Sequence, residues 1–239
     1  MPATGTSLTL SVIVLFCFNR YIYLNTADLT DATAEPLMYD AKKYLLTGLV
    51  EKCHTTLLSV DTVCTLLQQS ISLGEDELKE KNLKFISENM RSVVSSEAFL
   101  NLSQDALEDV VSLDIVSEIS KRQLFVACVK WVRYQLHQLG KLYPSEEEIR
   151  DMLGNVISHI RFPKMRLDEF ADLTENSKIL TAGEKNDVYV YMATGRKTEN
   201  FKFEAQPRRW HHNVISHFTA VCEYWESEGP LRRRSTINP

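Results

Sequence analysis

The sequence predicts an all-α chain, and three observations carry that reading. Glycine and proline are scarce, at 8 and 7 of 239 residues, which disfavours a turn-rich β architecture. Apolar residues recur at three- and four-residue spacing through most of the chain, the period of a helix with one buried face. Ser, Thr and Asp stand ahead of these stripes, twice in the S/T-x-x-E pattern that satisfies the free N–H groups of a first turn. The array has short connections, and any β contribution is expected within the first thirty residues. No repeat recurs at a fixed period, so the pattern is not a solenoid.

The first element is Leu8–Phe18, LTLSVIVLFCF, a nearly apolar run. A transmembrane helix needs about 20 such residues, and Asn19 and Arg20 interrupt this run. A signal peptide needs positive charge ahead of the run and small residues behind it. Here no Lys or Arg precedes Arg20, and Tyr21, Ile22 and Tyr23 follow. The run is read as a buried helix or strand, with a cleaved signal or a membrane anchor as the weaker alternative.

Ala32–Leu46 places Leu37, Ala41, Tyr44 and Leu45 on one face, and Gly48 punctuates it. Leu49, Val50, Cys53 and Leu57 carry a second, short helix. Asp61 is read as the N-cap of a helix bearing Val63, Leu66, Leu67 and Ser70. Glu75–Ser87 follows with Leu78, Phe85 and Ile86. Ser95 and Ser103 are read as further caps, the second ahead of Leu107, Val110 and Val111. The clearest stripe runs from Ser120 to Leu139, through Leu124, Cys128, Trp131, Val132, Leu136 and Leu139, with Gly140 suited to the position past its end. Trp131 is read as a core anchor. Ser145 and Glu148 form a capping box ahead of one stripe, Ile149 to Ile160, which Arg161-Phe162-Pro163 stops. Thr181 and Glu184 form a second capping box ahead of Val188, Tyr191 and Met192. From Gly195 onward the text is polar and aperiodic, and is read as a linker and tail that build no core.

Composition narrows the function classes. Apolar residues make up 44% and charged residues 25%, as in a globular protein. The net charge of −5 makes the chain as a whole a poor nucleic-acid binder, since phosphates need a basic surface. Cys17, Cys53, Cys64, Cys128 and Cys222 are odd in number and form no C-x-x-C pair, so a reducing compartment, the cytoplasm, is expected over a disulfide framework.

Motifs for chemistry are missing. No phosphate-cradling glycine loop, nucleophile elbow, H-E-x-x-H or EF-hand loop occurs. Glu146, Glu147 and Glu148 suit the positive end of a helix dipole. Cys53 and His54 are neighbours and point in different directions, so they are read as a buried Cys and a partly exposed His. His211, His212, His217 and Cys222 are zinc-capable, but their spacing matches no common finger. Arg232-Arg233-Arg234-Ser235 is a solvated terminus or a phosphorylation site. No catalytic, cofactor-binding or metal residue is assigned, and a binding module fits better than an enzyme.

Several segments resemble a known family. Asn19-Arg20-Tyr21-Ile22-Tyr23, Asp28-Leu29-Thr30, Ala41-Lys42-Lys43-Tyr44-Leu45 and Gly48-Leu49-Val50-Glu51-Lys52-Cys53 resemble the closing third of a BTB/POZ domain. Ser95 to Leu100, Leu124-Phe125 to Trp131-Val132, and Ile160-Arg161-Phe162-Pro163-Lys164-Met165 resemble a BACK domain. Lys178 to Thr181, Asn186-Asp187-Val188 and Gln206-Pro207-Arg208-Arg209 resemble the exit from BACK in the branch with a C-terminal PHR domain. The implied organisation is a divergent apolar N-terminus (1–17), a partial BTB/POZ domain (18–60), a BACK domain (61–194), and a linker with the start of a PHR-like region (195–239). Met1 to Phe16 and most of the PHR domain lack counterparts, so the resemblance implies a middle piece of such a protein.

That resemblance implies an adaptor for a cullin-RING ubiquitin ligase, with a cullin and BTB relatives as partners. In relatives the helix pair after the BTB contributes to the cullin groove. Here that is about Asp61 to Ile86, with Val63, Leu66, Leu67 and Leu73 as candidate contacts; the competing reading is that these four are core. Two other functions stay open: a BACK scaffold that binds relatives and competes with them, and a membrane-anchored helical protein.

Overall fold

A computed structural model of the chain describes residues 4–116, 119–175, 177–207 and 209–210. Among the described residues, the first thirty positions hold a helix and no strand. Helix α1 (Thr4–Leu24) is longer than the apolar run that seeds it. Val14 and Cys17 are buried and Phe18 and Tyr21 pack beside them, one stripe at helical spacing. Val12, Leu15 and Phe16 are exposed, so the expected burial holds for one face only. Among the described residues no helix is long and apolar enough to cross a membrane.

Helices α2 (Asp31–Lys43) and α3 (Thr47–Leu57) pack closely against each other, α1 packs against α2, and the three share one apolar cluster. The turn between them places Leu45 at φ 57. Helices α4 (Val63–Leu73) and α5 (Asp76–Glu88) follow, joined through Gly74 at φ 68. Asp61 does not cap α4: Thr62 holds that position, and its hydroxyl donates to the Leu57 carbonyl instead.

Short helices α6 (Met90–Val93) and α7 (Glu97–Leu100) lead to α8 (Gln104–Ser112). Ser103 caps α8 as expected, accepting from the Ala106 N–H at 3.3 Å. Ser95 is no cap; its hydroxyl donates back to the Arg91 carbonyl, and Ser96 occupies the N-cap of α7. Strand β1 (Ile115–Val116) pairs in parallel with β2 (Arg209–Trp210), two residues each, so the small β contribution lies far from the N-terminus.

Helix α9 (Lys121–Gln138) opens on a Ser120–Gln123 capping box and buries Leu124, Cys128, Trp131, Val132 and Leu136. Trp131 donates its indole N–H to the Leu102 carbonyl at 2.8 Å. Leu139 lies past the end of the helix and is exposed. The single stripe expected from Ile149 to Ile160 is two helices, α10 (Glu146–Leu153) and α11 (Val156–His159). Gly154 breaks them apart at φ 46 and ψ −124, a backbone state open to glycine and strained for other residues. A 3-10 turn at Phe162–Lys164 ends this stretch where the proline was expected to. Helix α12 (Leu167–Glu175), not foreseen from the sequence, and α13 (Ala182–Thr194) complete the array, the latter capped by Thr181 and Glu184.

The segment after Gly195 departs from the expected linker. Phe203 and Ala205 are buried, and the Phe203 ring meets that of Phe162 edge-on at 5.3 Å. The Glu204 N–H donates to the Ser158 carbonyl at 3.0 Å, fixing the segment against α11.

Two apolar clusters result. The smaller joins α1, α2 and α3; the larger runs from α4 to Phe203. Helix α4 serves both. Its Leu66 belongs to the small cluster, and Val63, Cys64 and Leu67 belong to the large one. Consecutive helical positions face about 100° apart, so one short helix presents both sides.

Candidate protein-interaction surface

The helix pair that the resemblance singled out gives one surface residue and three interior ones. Val63 and Leu67 are fully buried and Leu66 nearly so. Leu73, at the last position of α4, is 63% exposed. The structure therefore brings the four onto one helix but leaves only Leu73 able to touch another molecule.

Leu73 does not stand alone. It closes a groove between α2 and α4 of about 590 Å³, whose other wall carries Glu35, Met38, Tyr39 and Lys42. Gln68, Gln69 and Ser72 supply polar groups from α4. Tyr39 is 73% exposed, an aromatic ring presented to solvent with its hydroxyl free to reach a partner. At one end Lys42 Nζ meets Glu75 Oε2 at 2.7 Å, which pins α2 to the start of α5. Sequence reasoning missed the α2 wall. Its signal was present: Tyr39 is apolar yet lies across the helix from the Leu37–Ala41 stripe.

The interior between α3, α4 and α5 is polar at one point. His54 is buried, not partly exposed as its neighbour position to Cys53 implied. Its ring bonds to Asn82 of α5, and Asn82 in turn donates to Ser70 of α4 at 3.4 Å. Burial pulls the His54 pKa below its ordinary value; the Asn82 bond opposes that pull. Burial likewise pushes the Cys53 thiol up to about 11 and Cys64 up to about 12, which holds both protonated and inert.

Among the described residues no three His, Cys, Asp or Glu side chains gather as a metal site. His211, His212, His217, Cys222 and the Arg232–Ser235 run lie outside the described residues.

Comparison with known proteins identifies the unit to which α4 belongs. A family profile described as "BACK: BTB And C-terminal Kelch" matches residues 63–175, the span from the first residue of α4 to the last of α12. Residues 63–175 are thus similar to a BACK domain. The chain is also homologous to BTB/POZ domain-containing proteins. BTB/POZ domain-containing protein 3 of Homo sapiens is 28% identical over 218 residues, 90% of this chain and 41% of its own. BTB/POZ domain-containing protein 6 of Mus musculus is 28% identical over 181 residues, 74% of this chain and 33% of its own. The chain thus spans about two fifths or less of the length of these relatives. The groove between α2 and α4 has one wall inside the BACK domain and one ahead of it.

Proposed function

We propose that the chain is a protein-interaction adaptor acting in a cullin-RING ubiquitin ligase. The observation that carries this reading is α4. It begins the BACK domain, its Leu66 is locked into the preceding helices, and with α2 it forms the groove ending at Leu73. An extended cullin segment with an apolar side chain fits such a groove, with Tyr39 and Leu73 as its apolar contacts and Lys42 and the glutamines as polar ones. The adaptor performs no chemistry. It holds a protein substrate near the charged ubiquitin carrier and so raises the effective concentration of target lysines. The four cysteines among the described residues are buried and form no disulfide, which supports a reducing cytoplasmic setting.

The test is a calorimetric titration of the chain with the N-terminal domain of a BTB-binding cullin, with a full-length BTB–BACK relative as control. Micromolar binding that Leu73→Asp abolishes, in a variant with an unchanged helical spectrum, is expected. No binding beside a working control would overturn the cullin reading.

The burial of Val63, Leu66 and Leu67 favours a second reading, a BACK scaffold that binds BTB relatives and competes for them without recruiting a cullin. Its mark is heterodimerisation with a relative in sedimentation, alongside a blank cullin titration.

A further inference from the structure

A second groove lies within the BACK domain, away from α2 and unused by the proposed function. It holds about 410 Å³ between α6–α7 and α9. On α9, Arg122, Val126 and Lys130 fall at four-residue steps and form one ridge about 12 Å long, a cation at each end and an apolar side chain between. Val126 is 43% exposed and so open to a partner from the groove side. Arg91 faces the ridge from α6, and Leu100 adds to the apolar floor. Three of the four charged residues lining the groove are basic, Glu97 being the exception, in a chain whose net charge is −5. Arg122 is paired with Asp172 through Nη2 at 2.6 Å. Arg91 and Lys130 have no ion pair among the described residues.

We propose that this groove docks an acidic helical segment of a partner protein, with acidic residues eight positions apart and a large apolar residue midway. Such a helix matches the ridge step for step: carboxylate on Arg122, apolar side chain on Val126 and Leu100, carboxylate on Lys130, with Arg91 closing over the central turn. The cation–apolar–cation ridge reads nearly the same in both directions, so Arg91 sets the polarity of the bound helix. The apolar centre favours a peptide over a nucleic acid, whose backbone would meet Val126 without gain.

The test is fluorescence anisotropy of the full chain with a labelled alanine-based helical peptide bearing Glu, Leu and Glu at four-residue steps. Binding that weakens as salt rises is expected. Replacing both Glu by Gln in the peptide, or introducing Arg91→Glu or Lys130→Glu in the chain, is expected to weaken it by about tenfold or more, the scale of a desolvated charge pair. Val126→Asp is expected to do the same. All three positions are exposed, so the variants keep the native helical spectrum. Equal affinity for the Glu and Gln peptides, or for wild type and all three variants, overturns the proposal. So does a single-stranded oligonucleotide that binds the groove more tightly than the peptide. So does tighter peptide binding by a chain with Glu223, Glu226 and Glu228 changed to Gln, since the occupant would then be the chain's own acidic stretch. No cullin enters the experiment, so its failure leaves the adaptor reading standing.

Discussion

His54 Nε2 stands 2.8 Å from Asn82 Oδ1 in the interior, and this contact ties α3 to α5. Directions can be assigned along the chain of bonds it starts. His54 donates to the Asn82 carbonyl oxygen, the Asn82 amide donates to Ser70 Oγ, and Ser70 donates to the Leu67 carbonyl. The neutral imidazole with its proton on Nε2 satisfies every partner. All three side chains are buried, so the network links the helices ahead of the BACK domain to the domain itself through groups that water cannot replace.

Stability is expected to fall on mild acidification. The His54 pKa is lowered in the folded chain from its ordinary 6.5, chiefly by burial. Above the ordinary value both folded and unfolded chains hold His54 neutral, and its contribution is fully present. Below it the unfolded chain takes up the proton while the folded chain resists, so stability is lost as pH drops toward the folded value. Urea midpoints at about pH 7.5 and about pH 5 measure the drop, and His54→Gln should shrink it. An unchanged pH slope in that variant would sink the assignment. Asn82→Ala should cost about 1–3 kcal/mol at neutral pH, by stranding the His54 N–H.

Two glycine substitutions should move stability in opposite directions. Gly154 sits at φ 46, and an added Cβ would meet Gln104 Nε2 at 3.2 Å. Gly154→Ala should cost about 1–3 kcal/mol. Gly183 lies in the first turn of α13 with open space around the added methyl. Gly183→Ala should stabilise by up to about 1 kcal/mol. Thermal midpoints of the two variants read both signs, and a loss at Gly183 equal to that at Gly154 would remove the argument.

The interior thiols should be silent. Cys53 and Cys64, with pKa values raised to about 11 and about 12, are expected not to react with an aromatic disulfide reagent in the native chain. Both should react once denaturant opens the fold. Mass spectrometry after brief labelling identifies the modified sites. Native labelling at either would mean that α3 or α4 opens readily.

Local signals were legible and contacts between distant residues were not. The Ser145–Glu148 and Thr181–Glu184 capping boxes need only their own four residues, and both are present. The break at Gly154 was hidden because Ile149, Leu153, Val156 and Ile157 keep helical phase across it, and all four are buried. Phe203 reads as part of a polar tail until Phe162, far back in the sequence, supplies its partner ring. The same limit applies to the interaction surface. Helical spacing places Val63, Leu66, Leu67 and Leu73 on one helix, but exposure depends on what packs above each. Neighbouring helices cover the first three and leave Leu73 open. His54 looked half-exposed because Asn82, the residue that justifies its burial, lies 28 positions away.

Helix α4 has two faces committed to two different cores, which makes it a fulcrum. Any rotation of α4 under a load at its groove must be followed by both clusters at once, because neither can repack without the other. The BACK domain then acts as a stiff lever arm with its pivot at its own first helix. A tilt too small to notice at Leu66 would be magnified along the length of the domain, and the buried Asn82–Ser70 bond, which continues the His54–Asn82 tie onto α4, would have to move with it.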